Sequence, residues 1–334
     1  MEGTNRKETA KFIDYERGGR QKKVYTETDI EFVFCPLCGR NEYKEIYRER
    51  GVLGIVRCLK CSLIYVNPRL KNPEEVYWGD ADKYFKEAKL IFEGKARHHR
   101  DSNYIADLKL IYKYKPSGNL LDIGTNMGFF IRNARGKKWN LYGVEPSASL
   151  SELARRHFEL NVKTCFLEDS NFDSNFFDVI TMTDVFEHIT EPGKILNEVH
   201  RILKKDGILF IKVPNGLFNI SKLYLAKAIR RLTEYDIFDS YEHVINYSYG
   251  TIKSMLEKYD FKILKTSVGR PIQIPVWHSY VGYYYQYATP WCLDFKRKTA
   301  RNIFYILSLV EFMLRLNRVG YLAPNIITIS KKCS

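Results

Sequence analysis

The sequence lacks any uninterrupted apolar run of the roughly 20 residues that a membrane-spanning helix needs. Its N-terminus, MEGTNRKETAKF, also lacks the apolar core of a secretory signal peptide. Internal repeats are absent as well, so a repeat architecture is not expected. These absences argue against a transmembrane or exported protein, and we expect a cytoplasmic location.

Cysteine is scarce, with seven in 334 residues. An odd number of cysteines, four of them in two C-x-x-C pairs, does not suit a disulfide framework. The gap of 19 residues between the pairs allows four thiolates to surround a zinc ion tetrahedrally. Such a site has no open position for water, so the zinc would be structural; the alternative is four ordinary buried thiols or a redox pair. The predicted ligands are Cys35, Cys38, Cys58 and Cys61.

Charge is unbalanced, because 53 Lys and Arg face 39 Asp and Glu and give a formal net charge of +14. A basic protein attracts anions such as nucleic acid, an acidic membrane surface, nucleotide-linked sugars or phospholipid-linked glycans. The basic residues are spread along the chain, and a solvated basic surface is the plain alternative. Charge therefore selects no partner by itself.

From Gly118 onward, short apolar runs alternate with amphipathic segments of helical length, which predicts a parallel sheet covered on both faces. The expected fold is α/β, a doubly wound seven-strand and mostly parallel sheet whose last strand is antiparallel, preceded by a zinc ribbon. The expected strands are 119–123, 140–144, 163–166, 176–182, 207–213, 261–268 and 325–330. The expected helices are 127–137, 147–158, 192–204 and 251–259. The expected domains are a basic leader (1–30), the zinc ribbon (31–70), a helical connector (71–117) and a catalytic domain (118–334) with lid insertions at 217–240 and 270–322.

A glycine turn follows the first strand of this sheet, in the run Leu120-Leu-Asp-Ile-Gly-Thr-Asn-Met-Gly-Phe-Phe130. Gly124 permits a tight turn, and Gly128 removes a side chain where backbone approaches a ligand or the sheet. About 20 residues further on, the second strand ends in Glu145, where an acid can bind ribose hydroxyls.

These residues resemble the first motif of class I S-adenosylmethionine-dependent methyltransferases, which has the form acid-x-Gly-x-Gly-x-Gly. Asp122, Gly124 and Gly128 match it, while Asn126 stands in the central glycine position. The resemblance implies that Asp122 and the backbone of 124–128 hold the amino-acid end of S-adenosylmethionine and that Glu145 holds its ribose.

Later segments match the family in order. Phe166-Leu-Glu-Asp169 follows the third strand, where the family contacts adenine, so Glu168 and Asp169 are implied contacts. Asp184 ends the fourth strand, and a segment like the family's Glu-His-x-x-x-x-Pro follows it. The resemblance covers 118–269 and the closing strand. Two alternatives stay open: a nicotinamide dehydrogenase, which expects a third glycine, and a methyltransferase-like binding protein without catalysis.

A zinc ribbon followed by Leu63-Ile-Tyr-Val-Asn-Pro-Arg69 and a catalytic domain resembles a subgroup associated with surface-sugar and secondary-metabolite methylation. Its carbon-methylating members carry a further C-terminal domain, whereas this chain ends with the seventh strand. We therefore expect O-methylation of a sugar, glycan or small metabolite hydroxyl, with a nucleotide- or lipid-linked acceptor included. C-methylation of a nucleotide sugar is the alternative.

Two Glu-His pairs are candidates for the acid-base chemistry. His188 follows the fourth strand, and His243 lies in Tyr241-Glu-His-Val. A hydroxyl acceptor must lose its proton, and histidine titrates near neutral pH. We predict His188 as the base and His243 as an orienting group or alternative base. Glu187 and Glu242 would orient them, or the pairs would bind a divalent metal; purely structural histidines are the other interpretation.

The second insertion combines an aromatic run (280–287), a basic patch (296–301) and an apolar helix (303–316). Such a segment suits peripheral contact with an anionic membrane, or the packing of a cap helix on the core. A recognisable nucleic-acid module is absent, so RNA is not the favoured partner.

Overall fold

A computed structural model describes residues 12–13, 24–49, 52–73, 88–89, 91–94, 97–98, 100–228, 237–270, 280–281 and 291–333. Most of the predicted leader, much of the predicted connector, residues 229–236 of the first insertion and most of the aromatic run 280–287 lie outside these ranges. Among the described residues, none of the helices combines the length and apolar character needed to cross a bilayer.

The described helices and strands are as follows. The strands before the catalytic domain are β1 (Phe12–Ile13), β2 (Val24–Tyr25), β3 (Ile30–Glu31), β4 (Tyr43–Glu49), β5 (Leu53–Cys58), β6 (Ile64–Val66), β7 (Arg69–Leu70) and β8 (Arg97–His98). The later strands are β9 (Ser117–Ile123), β10 (Lys138–Val144), β11 (Asn161–Lys163), β12 (Phe177–Thr183), β13 (Leu203–Pro214), β14 (Ile245–Asn246), β15 (Phe261–Val268), β16 (Tyr280–Val281) and β17 (Asn325–Lys332). The helices are α1 (Asp101–Tyr112), α2 (Ala148–Phe158), α3 (Pro192–Ile202), α4 (Gly216–Ala228), α5 (Tyr249–Lys258) and α6 (Trp291–Leu314).

The main sheet has seven strands in the order β11-β10-β9-β12-β13-β17-β15. Only β17 runs antiparallel to its neighbours in this sheet. The sheet confirms the predicted doubly wound fold with one antiparallel strand. The chain leaves β9 toward β10 and returns on its other side with β12, which makes the carboxyl ends of β9 and β12 a topological switch point, where such folds bind ligands.

Apolar patterning explains these elements. Strand β13 is buried continuously from Gly207 to Val213, as expected for a strand covered on both faces. Helix α3 buries the stripe that its sequence predicts, which comprises Ile195, Leu196, Val199 and Ile202. Capping sets the start of α5, because the side chains of Ser248 and Thr251 each accept a hydrogen bond from the other's backbone amide.

Two predicted elements differ from the structure. The helix expected at 127–137 is only a 3₁₀ turn, Ile131–Ala134, because Gly128 and Gly136 adopt positive φ and Arg135 has extended ψ, which confines helical backbone to the residues between them. The third strand ends at Lys163 rather than continuing to residue 166, because the chain turns there toward a second 3₁₀ turn, Leu167–Asp169.

The cysteine-rich segment is joined to the catalytic domain rather than separate from it. Its four-stranded sheet has the order β14-β6-β5-β4, and β14 comes from residues far along the chain. The residues between the two cysteine pairs form a hairpin, in which β4 and β5 pair antiparallel. Cys58 and Tyr65 share one apolar cluster with Phe186 and Tyr247 of the catalytic domain.

Candidate active site

The glycine turn after β9 has the backbone conformation that its residues permit. Gly124 has φ of +69° and Gly128 has φ of +83°, values that side chains rarely allow. A Cβ on Gly124 would lie 2.6 Å from Cγ2 of Val185, and one on Gly128 would lie 2.5 Å from Cδ1 of Leu160. Asn126 also has positive φ, at 52°, which asparagine tolerates. The turn therefore requires both glycines for the backbone itself.

Glu145 fastens this turn to the end of β10. Its Oε2 accepts the backbone amide of Asn126 at 2.8 Å, and its Oε1 accepts that of Ser147 at 2.9 Å. Burial raises the pKa of this carboxyl, and the two amides partly oppose the rise. Each carboxylate oxygen keeps a second lone pair, so the group can still accept a hydroxyl.

Asp122 is a buried carboxyl at the end of β9. Thr181 on β12 donates its hydroxyl to Oδ1 at 2.7 Å. Burial raises the pKa of Asp122 to about 7, and the nearby Glu145 adds to the rise. No ion pair to Asp122 is found within the described residues. The group therefore lies at the switch point as an acid whose ionised form a bound cation would stabilise.

Glu168 and Asp169 lie in the 3₁₀ turn after β11, and both are exposed. Phe166, just before the turn, is also largely exposed. The turn lies at the carboxyl edge of the sheet, where the family resemblance puts adenine. The structure gives these side chains no contact that would decide their role.

Asp184 is held in a partly buried network of charges that the sequence did not reveal. It forms an ion pair with Arg100, and Lys212 on β13 pairs with Asp107 on α1 at 2.7 Å. Burial would raise the pKa of Asp184, but the charges of Arg100 and Lys212 outweigh it and lower the pKa. In the sequence, the one indication of this network is the lysine inside the apolar run of β13. Nothing in the sequence indicates that Arg100 takes part.

The two predicted histidines lie together. Their ring centres are 4.8 Å apart and the rings are nearly perpendicular. Nδ1 of His188 lies 3.0 Å from the main-chain oxygen of Glu242, so that residue meets the histidine through its backbone. Burial and the nearby His243 together lower the pKa of His188 to about 4. His188 is therefore neutral at pH 7.

Glu187 completes this cluster. It is almost completely buried, and neither carboxyl oxygen has a hydrogen-bond partner within the described residues. Its Oε1 lies 4.0 Å from Nε2 of His188. Burial raises its pKa well above the ordinary value, and the negative charge of Asp184 adds to the rise. Potential metal ligand atoms of Glu187, His188 and His243 all lie within 4.8 Å of one another.

A family of sequences described as "Methyltransferase domain" matches residues 96–266, just over half of the 334 residues. The chain belongs to this methyltransferase family. This assignment removes the dehydrogenase alternative, and S-adenosylmethionine is the family's cofactor.

Known proteins that resemble the methyltransferase agree with this assignment. A ubiquinone biosynthesis O-methyltransferase from Glaesserella parasuis is 28% identical over 151 residues, which cover 41% of this chain and 64% of the relative. A protein of the same name from Pelagibacter ubique is 28% identical over 145 residues, covering 41% and 60%. The match thus spans less than two thirds of either relative.

Among solved structures, a chain from the complex between the Haloferax volcanii Trm112 methyltransferase activator and a methyltransferase has a TM-score of 0.50. The two chains are 13% identical, and the match covers 77% of the methyltransferase described here and 98% of the other. At this identity, the likeness shows the fold alone.

The ribbon segment of the methyltransferase holds the His243 segment in place. Glu49 on β4 is buried, and its carboxylate accepts the backbone amides of Phe238 at 2.7 Å and Ser240 at 2.9 Å. Beyond His243, the amide of Val66 donates to the oxygen of Val244 at 3.0 Å. The histidine therefore lies between two anchor points on the ribbon, a role for Glu49 that the sequence did not indicate.

The four paired cysteines converge at one point. The Sγ atoms of Cys35 and Cys61 lie 3.5 Å apart, as do those of Cys38 and Cys58, and all four lie within 4.8 Å of one another. Zinc-sulfur bonds of about 2.3 Å place tetrahedral thiolates about 3.8 Å apart. The cluster thus has the size and the donor set that a zinc ion requires.

Proposed function

We propose that this methyltransferase methylates a hydroxyl oxygen of a sugar, glycan or small metabolite, with Nε2 of His188 as general base. The observation that carries the proposal is the hydrogen bond between Nδ1 of His188 and the oxygen of Glu242. A carbonyl only accepts, so Nδ1 carries the ring hydrogen and Nε2 of the neutral ring keeps its lone pair. This is the form a base needs.

The cofactor would bind at the switch point. Asp122 and the 124–128 backbone would hold its amino-acid end, Glu145 its ribose, and Glu168 and Asp169 its adenine. When bound, S-adenosylmethionine supplies an electrophilic methyl group on a sulfonium ion. Asp184, paired with Arg100, would bound the space between this site and the histidines.

Residues of this chain would remove the proton of the acceptor hydroxyl. Nε2 of His188 takes the hydroxyl proton as the oxygen becomes more acidic during bond formation. The resulting imidazolium is stabilised by its Nδ1 hydrogen bond to the main-chain oxygen of Glu242. His243 would orient the acceptor from the opposite side.

Oxygen is favoured over carbon as the acceptor atom because both curated relatives are named as O-methyltransferases. The acceptor class rests on the resemblance to surface-sugar methyltransferases and on the positive net charge of +14, which suits nucleotide- or phospholipid-linked sugars. A screen of nucleotide sugars, lipid-linked glycans and small phenols for methyl uptake tests this choice. O-methylated product supports it, and a new carbon-carbon bond in the product supports C-methylation.

A second mechanism uses a divalent metal at Glu187, His188 and His243. The two unpartnered carboxyl oxygens of Glu187 favour it, because a buried carboxyl normally has partners. The metal would acidify the bound hydroxyl. Activity lost on chelation and restored by Mg²⁺ or Mn²⁺ supports this mechanism, whereas activity that resists chelation supports the base.

We also propose that the four cysteines bind one structural zinc ion per chain. The convergence of four sulfur atoms supports this assignment. The ion would stabilise the ribbon sheet, in which β6 pairs with β14. Zinc would thus support the His243 segment without taking part in methyl transfer.

A further inference from the structure

In its second half, residues 302–314, helix α6 packs on the protein with one face and has a second apolar face that the described part of the chain does not cover. Its packed face consists of Tyr305, Ser308, Leu309 and Phe312. The opposite face repeats at the same helical spacing but is exposed, and it consists of Ile303, Ile306, Leu307, Val310, Met313 and Leu314. A helix that is apolar all round is normally buried or in contact with lipid. Core packing therefore explains only half of this helix.

Exposed apolar side chains from two other segments extend this face. Leu316 and Tyr321 follow α6, and Tyr224 and Leu225 lie on α4 of the first insertion. The hydroxyl of Ser221 on α4 donates to the oxygen of Tyr321 at 3.4 Å, which places the two segments side by side. We call these four residues and the exposed face of α6 the insertion surface.

Asn215 joins the two insertions at their base. Its Nδ2 donates to the main-chain oxygens of Gly320 at 2.7 Å and Ala323 at 2.8 Å, and its Oδ1 accepts the amide of Leu217 at 3.1 Å. The amide is buried, so these bonds are shielded from water. These bonds fix the start of the first insertion to the end of the second.

The charge of this region is one-sided. From the start of α6 to residue 322, the chain contains six basic residues and two acidic ones, Asp294 and Glu311. Both oxygens of Glu311 accept backbone amides, from Tyr321 and Leu322, each at 2.8 Å. Arg315 and Arg318 are exposed beside the apolar residues. Glu311 is thus turned toward its own chain, and the exposed charged side chains of residues 302–322 are both positive.

The insertion surface lies at the same edge of the sheet as the active site. Strand β13 ends at Pro214, which pairs with Asn325 at the start of β17. The first insertion follows Pro214, and the second insertion leads into Asn325. Since β12 and β13 are parallel, Asp184 and His188 follow β12 at this same edge. A molecule held by the insertion surface would therefore lie near the acceptor site.

We propose that the insertion surface binds the surface of an anionic membrane. Exposed leucine, isoleucine and methionine would enter the acyl boundary, Tyr224 and Tyr321 would lie at headgroup level, and Arg315 and Arg318 would meet lipid phosphates. A second copy fits less well, because a two-fold contact through this surface would bring the same arginines toward one another. The proposal concerns binding alone and is independent of the methyl-transfer mechanism.

Sedimentation of the full chain with lipid vesicles tests this proposal. We expect binding to vesicles of phosphatidylglycerol and phosphatidylcholine, much weaker binding to phosphatidylcholine alone, and a decrease at high salt. Met313→Asp combined with Leu314→Asp should weaken binding by at least about tenfold, since these side chains are 64% and 80% exposed and would carry charge into the apolar layer. Arg315→Gln should weaken binding to anionic vesicles alone, by about fivefold.

The matched control is Leu264→Asp, which changes an exposed leucine on β15 and should leave vesicle binding unchanged. Calorimetry with S-adenosylhomocysteine checks that the double variant is folded. Absence of binding to anionic vesicles overturns the proposal. A second result would also overturn it: wild-type protein that does not bind vesicles but forms a dimer in analytical ultracentrifugation, with the dimer absent in the double variant.

Discussion

Nδ1 of His188 lies 3.0 Å from the main-chain oxygen of Glu242, which joins the loop after β12 to the segment that carries His243. The contact puts the ring hydrogen of the neutral imidazole on Nδ1 and makes Nε2 the nitrogen that would accept a proton. His188→Ala should therefore lower kcat by about a hundredfold and leave cofactor affinity nearly unchanged. His157→Ala, on α2, is the control and should have little effect. Full activity of His188→Ala on the true acceptor would make the histidine structural.

The raised pKa of Asp122 predicts pH-dependent cofactor binding. Burial raises this pKa to about 7, and a cationic ligand favours the ionised carboxylate, so binding below that pKa must release a proton. Affinity for S-adenosylmethionine should weaken by about tenfold per unit as pH falls below 7, measured by calorimetry. Asp122→Asn should bind weakly with little pH dependence. Wild-type affinity that stays constant from pH 5 to about 7 contradicts this role for the carboxyl.

The contacts of Glu49 predict an effect on the acceptor site from outside it. In Glu49→Gln an amide would face the donor groups of Phe238 and Ser240, and the loss of such buried bonds costs about 1–3 kcal/mol. We expect a several-fold lower kcat, an altered pH profile of activity and unchanged cofactor affinity. Glu45→Gln, exposed on the same strand, is the control. An unchanged pH profile would show that Glu49 contributes to the stability of the fold and not to the acceptor site.

Zinc should be present at one ion per chain and should leave only when residues 31–70 lose order, because the binding energy of a structural site is folding energy. Cys58→Ser should lose the metal and raise hydrogen exchange in this segment and in its partner strand β14, while cofactor binding stays largely intact. Cys333→Ser, which changes an exposed thiol, is the control. Elemental analysis that finds no zinc in protein purified without chelator would refute the assignment.

The sequence predicted what depends on local pattern. Apolar runs located six of the seven strands and placed the third two to three residues too late, and the order of acids after β9, β10 and β12 located the carboxyl edge. It could not predict that Gly128 and Gly136 would restrict the helix expected at 127–137 to a short turn, because single positive φ values leave the apolar pattern intact. Nor could it predict contacts between distant residues: Glu49 meets Ser240 across 191 positions, and no periodicity records such a pair.

The exposed face of α6 could not be predicted from the sequence either. Its sequence was compatible with packing or with a membrane, since apolar residues occur all round the helix. Only the structure showed that Phe312 is packed while Leu314 is 80% exposed. The partner of a helix is a property of tertiary structure, and pattern alone leaves it undecided.

The most direct test of the account is calorimetry with S-adenosylmethionine and S-adenosylhomocysteine on wild-type protein and on Glu145→Gln. Glu145 fastens the glycine turn through the amides of Asn126 and Ser147 and is the proposed ribose contact. Wild-type protein should bind both ligands, and Glu145→Gln should weaken both by at least about tenfold. Glu152→Gln, exposed on α2, should match wild type. Absence of heat with both ligands in folded wild-type protein would contradict the central claim that this turn is a working cofactor site.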